Sequence, residues 1–400
     1  MNPNLARLYE YPFDRQKKLF EGVTPNPQLS AISLGIGEPK HPTPEFIARA
    51  LADNLRGLAN YPTTSGTPEL RRAIAAWISR RYALDAVDPM SQVLPVNGSR
   101  EALFSFAQAV IDTKRAHPVV ICPNPFYQAY EGSALLAGAD PYYVNALAKN
   151  HFAVAWDKVP VDVWKRTQLI YLCSPGNPTG AVIALDEWEQ LFALSDKYGF
   201  VIASDECYSE IYFDEAKPPL GSLDAASRLG RRDFRRLVAF SSLSKRSNVP
   251  GMRSGFVAGD ADVLSAYLRY RAYHGGAMNP AVQAASIAAW SDEAHVQDNR
   301  RMYVEKFQRV LPQLKDVLDV EMPEAGFFLW AKTPVADTEF ARGLYRDYNV
   351  NVLPGSYIAR EAEGVNPGSH YVRMALVAPL TECLEAARRI REYCHAAIAA

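Results

Sequence analysis

The chain has 400 residues, a formal net charge of −1 and 48% hydrophobic residues, a length that suits two or more globular units and the composition of an ordinary soluble protein. So balanced a charge supplies no field for nucleic acid or an anionic membrane, and neither is expected as a partner. The five cysteines (Cys122, Cys173, Cys207, Cys383 and Cys394) are scattered without metal-ligand or redox spacing and read as reduced thiols.

The opening MNPNLARLYEYPFDRQKKLF is polar and aromatic and lacks the apolar stretch of a secretory signal. No later run is apolar enough to span a bilayer, so a cytoplasmic location is expected. SLGIGEPKH carries two glycines of a dinucleotide-binding fingerprint but not the third, and Pro39 follows at once. A helical REALFSFAQAVID leads to the strand-like HPVVICPNP, and QLIYLCSPGNP precedes the helical ALDEWEQLFALSDKYG. FVIASDECY and RRLVAFSSLSK are further apolar runs. Short strands separated by helices imply βαβ units in a mainly parallel central sheet, and their continuous apolar character fits a sheet covered on both faces.

The pattern changes after Ala281. Long helical stretches, AVQAASIAAWSDEAHVQDNRRMYVEKFQRVLPQLKDVL, are followed by strand-like GFFLWAK, NVNVLP and YVRMALV and a last helix. The expected division is a large α/β domain over residues 45–280 and a smaller α+β domain from residues 281–400, joined by residues 1–44.

Ligands of open parallel sheets bind outside the carboxyl ends of the strands. Three successive strand ends carry polar groups there: Asn177 after YLCSPG, Asp205 after VIAS, and Ser242 to Lys245 after LVAFS. A lysine amine acts as a nucleophile only when desolvation or a nearby cation favours its neutral form. Arg253 can supply such a cation and offers a forked donor to phosphate, while Ser242 and Ser244 add hydroxyls. An amine beside an anion cradle suits pyridoxal 5′-phosphate (PLP), whose aldehyde takes the lysine. Asp205 can keep the pyridine nitrogen protonated, Tyr208 and Asn177 can bond the phenolic oxygen, and Tyr127 in PNPFYQAY can face the ring. Gly98, Ser99 and Arg100 open a helix whose free N–H groups attract anions.

Each element also has an ordinary reading. Lys245 fits a solvated basic loop, Asp205 a cap or turn, SPGNPTG a turn, Ser99 a helix N-cap, Tyr127 plain packing and Arg373 a surface strand. Their occurrence in order at the strand ends of one sheet is what favours the cofactor. No P-loop, G-x-S-x-G or H-E-x-x-H motif competes, and no metal is expected.

LGIGEPKHPTP, NYPTTSGTPELR, NGSREALF, PNPFYQAY, SPGNPTG, SDECYSEI, SLSKRSNVPGMRSG and YVRMALV together resemble a class I/II, fold-type I PLP-dependent aminotransferase over nearly the whole chain. The resemblance implies that Lys245 carries the cofactor and then moves a proton between substrate and cofactor. It places Asp205 at the pyridine nitrogen, Tyr208 and Asn177 at the phenolic oxygen, and Tyr127 on the ring. Ser242, Arg253 and Gly98 to Arg100 would hold the phosphate, and Arg373, Asn177 and the backbone at Gly37 the substrate α-carboxylate. The tyrosine matching Tyr61 reaches a neighbouring subunit's phosphate in this family, which implies a homodimer with shared active sites.

RLYEYPFDRQKKLF, LGIGEPKHPTPEFI and YRAYHGGAMNPAVQ resemble bacterial succinyldiaminopimelate aminotransferases of lysine biosynthesis most. This implies transamination between N-succinyl-L,L-2,6-diaminopimelate and 2-oxoglutarate, with amino-acid and 2-oxo-acid substrates as the only partners besides a second subunit. A broad aspartate or aromatic aminotransferase and a PLP-dependent lyase stand as alternatives. Arg15, Lys17 and Lys18 are candidate distal donors, or simply an exposed helix face. Gly275 and Gly276 permit either close backbone approach to a long substrate or a turn.

Overall fold

The computed structural model describes residues 1–398. Strand β1 (Ile32–Ser33) belongs to the second unit, and the first is built on β2 (Val93–Val96), β3 (Val119–Asn124), β4 (Asp140–Asn145), β5 (Thr167–Cys173), β6 (Val201–Asp205), β7 (Leu237–Ser242) and β8 (Gly255–Gly259). These seven form one sheet in the order β2-β8-β7-β6-β5-β3-β4. Neighbours run parallel except around β8, which is antiparallel to both β2 and β7. The sheet is thus mainly parallel with helices on both faces, the α/β fold that the apolar runs imply. Alternate residues of one strand feed different cores: Ile170 and Leu172 of β5 face one cluster, Leu169 and Tyr171 the other.

The second unit holds an antiparallel sheet of β9 (Phe328–Lys332), β11 (Leu353–Pro354) and β12 (Tyr371–Ala375), in the order β11-β12-β9. Strand β1 pairs in parallel with β10 (Val350–Asn351), which draws the N-terminal segment into this unit. Ile32 and Leu34 pack there with Phe307, Val310, Leu344 and Ile390.

The helical sequence after Ala281 forms two helices, Pro280–Ser291 and Ala294–Lys315. The first packs on the large unit, where Ala285, Ala289 and Trp290 join its core and Trp290 lies 4.8 Å from Trp77 between ring centroids. Packing therefore divides the two cores after Ser291 rather than at 280. Pro280 at the start of that helix has no N–H to lose, and Asn279 caps it by accepting from the Ala281 N–H at 2.9 Å. Among the described residues no helix is long and apolar enough to cross a membrane.

Candidate active site

Sheet register aligns the strand ends. Cys173 of β5 pairs with Asp205 of β6, and Asp205 with Phe240 of β7, so the chain leaves all three strands at one edge. A cleft of about 490 Å³ opens there, lined by Gly37, Ser99, Arg100, Tyr127, Asn177, Asp205, Tyr208, Ser242, Lys245, Arg253 and Arg373. The sequence thus anticipates these eleven lining residues and Ser244 besides, drawn from segments more than 300 positions apart. Gly98 lies immediately beside it. Tyr61 is elsewhere on this subunit, with its side chain fully exposed.

Lys245 sits in a one-turn helix, Leu243–Arg246, capped by Ser242, whose Oγ accepts from the Ser244 N–H at 3.1 Å. Its amine points into the cleft and donates to the Gly37 carbonyl at 3.0 Å. Burial lowers its pKa from the ordinary lysine value, and Arg253, Arg100 and Arg373 lower it further against an opposing effect of Cys207. The solvated-loop reading is excluded by this placement. An amine so held is biased toward the neutral form that can accept a proton.

Asp205 is buried at the floor. Its Oδ2 accepts from Tyr130 Oη at 2.7 Å, and its Oδ1 from the Cys207 N–H at 3.3 Å. Burial raises its carboxyl pKa, while these hydrogen bonds and the Lys245 charge act the other way. A desolvated carboxylate of this kind favours a cation against it, which is what a protonated pyridine nitrogen supplies.

The anion cradle lies at the start of helix Ser99–Val110. Gly98, not Ser99, is the N-cap, with φ at +82°. A Cβ there would come within 2.2 Å of Arg253 Nη2, so glycine is what lets the guanidinium approach the free N–H groups of the helix. Ser99 therefore lies inside the first turn, where its Oγ accepts from Cys207 Sγ at 3.0 Å. Arg100 does not turn to this cradle: its Nε donates to the Tyr127 hydroxyl and its guanidinium lies 5.7 Å from the Tyr127 ring centroid.

Arg373 comes from β12, opposite Trp330 of β9 and Leu353 of β11. Its Nη1 donates to Asn177 Oδ1 at 2.9 Å and its Nη2 to the Gly35 carbonyl at 2.8 Å, while Nε is buried without a partner. Burial lowers its pKa to about 10. A buried guanidinium with an orphaned donor and no anion is incomplete until a carboxylate arrives. Arg373 is no surface strand arginine.

The cleft thus faces four cationic side chains whose polar partners are neutral oxygens: the carbonyls of Gly37, Pro250 and Gly35, the Tyr127 hydroxyl and the Asn177 amide. That donor set has room for two anions, a phosphate at Gly98 and Arg253 and a carboxylate at Arg373. With a buried carboxylate and a desolvated lysine between them, the residues fit PLP together with an amino acid. PLP, when bound, supplies the electron sink for carbanion chemistry.

Several residues in or behind the cleft wall were not singled out from the sequence. Tyr130 is legible only as the residue one helical turn after Tyr127, since helix Gln128–Leu136 begins there. Phe328 of β9 lines the cleft with Phe327 beside it, each 5.3 Å from the Tyr208 ring between centroids. Tyr11 and Phe13 enter from the N-terminal segment. The candidate distal donors are placed otherwise: Lys17 is exposed, Lys18 pairs with Glu10 at 2.6 Å, and Arg15 lies 4.0 Å over the Tyr357 ring, outside the cleft lining. Gly275 caps helix Ala261–His274 with φ at +83°, and Gly276 accepts from Arg271, so this pair is a turn and not part of the cleft wall.

The family model described as aminotransferase class I and II matches residues 30–390. The chain is 32% identical over 372 residues, 91% of each protein, to the LL-diaminopimelate aminotransferase of Syntrophobacter fumaroxidans. An aminotransferase structure from Neisseria meningitidis is 52% identical with a TM-score of 0.95, covering 98% of this chain and 99% of that one. The structure of a probable N-succinyldiaminopimelate aminotransferase from Thermus thermophilus is 27% identical with a TM-score of 0.83, covering 95% and 98%.

Proposed function

We propose, from the premise that this chain belongs to the class I and II aminotransferases and is a PLP-dependent transaminase, that it transfers the amino group of N-succinyl-L,L-2,6-diaminopimelate to 2-oxoglutarate, yielding N-succinyl-2-amino-6-oxopimelate and L-glutamate. The observation that carries this choice is the sign of the charge in the cleft. Its lining has two carboxylates, Glu38 and Asp205. Glu38 is paired with Lys40 at 2.7 Å, and Asp205 is buried at the floor under hydrogen bonds. Neither is free to receive a second ammonium. Acylation removes that ammonium from diaminopimelate and leaves an amide and carboxylates, which a cation-rich cleft tolerates.

In this reading Lys245 accepts the Cα proton, with the Gly37 carbonyl holding its N–H. Asp205 would keep the cofactor nitrogen protonated, Tyr208 and Asn177 would bond the phenolic oxygen, and Tyr127 would face the ring. Ser242, Ser99, Arg253 and the Gly98 N-cap would hold the phosphate, with Arg100 buttressing Tyr127. Arg373, with Asn177 and the Gly37 backbone, takes the α-carboxylate by its fork. Tyr61, 103% exposed, follows in sequence two other exposed apolar residues, Leu55 and Leu58. We assign this surface to a homodimer contact that brings Tyr61 to the partner's phosphate, in a cytoplasmic enzyme of lysine and diaminopimelate biosynthesis.

A second reading, free LL-diaminopimelate as donor, is favoured by the name of the curated relative. A panel of donors with 2-oxoglutarate, followed by glutamate formation, decides between them. Succinyldiaminopimelate should show the highest kcat/KM. Faster reaction of LL-diaminopimelate, aspartate or an aromatic amino acid overturns the substrate assignment, and pyruvate with ammonia from a β-substituted amino acid would identify a lyase.

A further inference from the structure

Helix Ala294–Lys315 runs from the Lys245 loop into the core of the second unit, where Phe307, Val310 and Leu314 anchor its far end. One of its faces is polar and largely buried. Half-buried His295 and buried Asn299, Tyr303 and Lys306 recur on it at helical spacing. His295 Nε2 lies 2.8 Å from Ser247 Oγ, and its Nδ1 lies 2.5 Å from Asp292 Oδ1. This series has the order of a hydrolytic triad, but Ser247 is fully buried and outside the cleft lining, so it is an anchor and not a nucleophile. One turn on, Asn299 Nδ2 donates to the Lys245 backbone carbonyl at 3.3 Å, and Asn299 Oδ1 accepts from Asn248 Nδ2 at 3.1 Å.

His41 closes the network from the N-terminal segment. Its Nδ1 lies 2.7 Å from Asn299 Oδ1, and Lys306 Nζ lies 2.7 Å from its Nε2. Donor counting settles the tautomer. Asn299 uses its amide nitrogen on Lys245, so its oxygen accepts; His41 therefore carries its proton on Nδ1 and offers the Nε2 lone pair to Lys306. Lys306 also donates to the Val377 carbonyl at 3.2 Å and lies 5.1 Å from the Tyr303 ring centroid. Burial keeps His41 neutral, lowering it to about 4, and lowers Lys306 to about 8, with the Cys383 thiol the group that counters the latter.

The segment that bears His41 is a strap across the site. At one end the Gly35 and Gly37 carbonyls accept from Arg373 and from the Lys245 amine. At the other end Thr43 Oγ1 donates to the Asn248 carbonyl at 2.9 Å, beside the His41 network. Between these ends His41 ties the strap to the helix through Asn299 and Lys306, and the same helix holds the Lys245 loop at the Lys245 carbonyl, Ser247 and Asn248.

We propose that His41 is a positioning residue for amino-group transfer: held between Asn299 and Lys306, it keeps the Gly35–Thr43 strap in register with the Lys245 loop, so that the Gly37 carbonyl meets the Lys245 amine whenever that amine is free. This rests on Lys245 being the amine that moves the proton. The strap carbonyl then fixes the direction of one N–H and leaves the nitrogen lone pair aimed away from it, into the cleft. Loss of the network costs alignment at the reacting atom rather than substrate affinity.

The test uses holoenzyme of wild type, His41→Phe, His41→Asn and Lys306→Met. Phenylalanine keeps the ring and removes both polar contacts; asparagine restores a donor at the Nδ1 position; methionine removes the cation and keeps an unbranched stem. His41→Phe should lower kcat and kcat/KM together by about tenfold or more, with KM within about twofold. Amide hydrogen exchange should rise in residues 35–43 and 243–248, and His41→Asn should recover most of both effects. Lys306→Met should repeat the pattern and decides the matter if His41→Phe does not fold. Wild-type kcat in a folded His41→Phe or Lys306→Met enzyme, or a fall in kcat without a change in exchange, overturns the proposal. Borohydride fixation of cofactor at Lys245 in the wild type is the separate control: its failure would remove the assignment of Lys245 and leave the exchange result standing.

Discussion

Replacing Tyr130 by phenylalanine removes one hydroxyl from the floor of the site and little else. The ring is fully buried and stacks on Tyr171 at 4.7 Å with an interplanar angle of 9°, a contact that phenylalanine keeps. The hydroxyl donates to Asp205 Oδ2 at 2.7 Å. A hydrogen bond to a charged group contributes about 1.5–3 kcal/mol, which corresponds to a rise of about 1–2 units in the Asp205 carboxyl pKa at 1.36 kcal/mol per unit. Burial already displaces that pKa upward, so the change adds to an existing shift. In the proposed role of Asp205, the ionised carboxylate is the form that would support the cofactor nitrogen. Raising its pKa means that it is protonated at a higher pH, so the acid limb of the kcat/KM profile should move upward by about 1–2 units while the plateau near pH 8 changes little. The assay is a pH–rate profile of wild type and Tyr130→Phe with glutamate as donor, together with PLP affinity across the same range. A profile superimposable on wild type, with only a lower melting temperature, would refute the electrostatic role and leave Tyr130 as packing.

Asp205→Asn should raise the melting temperature of the cofactor-free protein at pH 8 and weaken PLP binding. A carboxyl whose native pKa is raised contributes stability that is complete below its unfolded value and lost as pH climbs through the native one, so an isosteric amide relieves that loss; equal melting temperatures at pH 8 would contradict it. Arg373→Lys keeps the charge but loses the fork to Asn177 and Gly35, and KM for the amino donor should rise by about 10–100-fold, against unchanged turnover of an amine lacking the carboxylate. Gly98→Ala forces a Cβ to within 2.2 Å of Arg253 Nη2 at a φ of +82°, so the Kd for PLP, read by absorbance titration, should rise at least about tenfold. Wild-type affinity in that variant would mean that the phosphate lies elsewhere.

The charge pattern of the cleft explains why one protein surface can handle two anions and a reactive amine. Arg253 and Arg373 both face anion positions, and both lower the Lys245 pKa through their charge. The same cations proposed to bind cofactor and substrate therefore help to keep the lysine neutral. Once their anions are bound, that influence is partly cancelled, so substrate arrival itself changes the proton affinity of the site.

Strand identity and the floor of the site were legible in sequence because the physical signals are local. Apolar runs of four to seven residues define β3, β5, β6 and β7, and the polar residue that ends each run must emerge at the sheet's carboxyl edge. Asp205, Asn177, Ser242 and Lys245 could be placed together on that ground, the chemistry of the cofactor then pointed to Arg253 and Tyr127, and a family resemblance added Arg373. Whatever depends on distant pairing was decided only by the tertiary structure. The antiparallel insertion of β8 between β2 and β7 is a choice of partner, which no periodicity encodes. The assignment of helix Pro280–Ser291 to the large core follows from Trp290 meeting Trp77, not from its own amphipathic pattern. Arg373 finds Asn177 across 196 positions, and Lys306 finds His41 across 265. In isolation, His41 is a polar residue in a proline-rich loop and Lys306 an ordinary lysine on a charged helix. Only burial strips them of water, and only the packing of the strap against one helix face supplies the partners that desolvation makes obligatory.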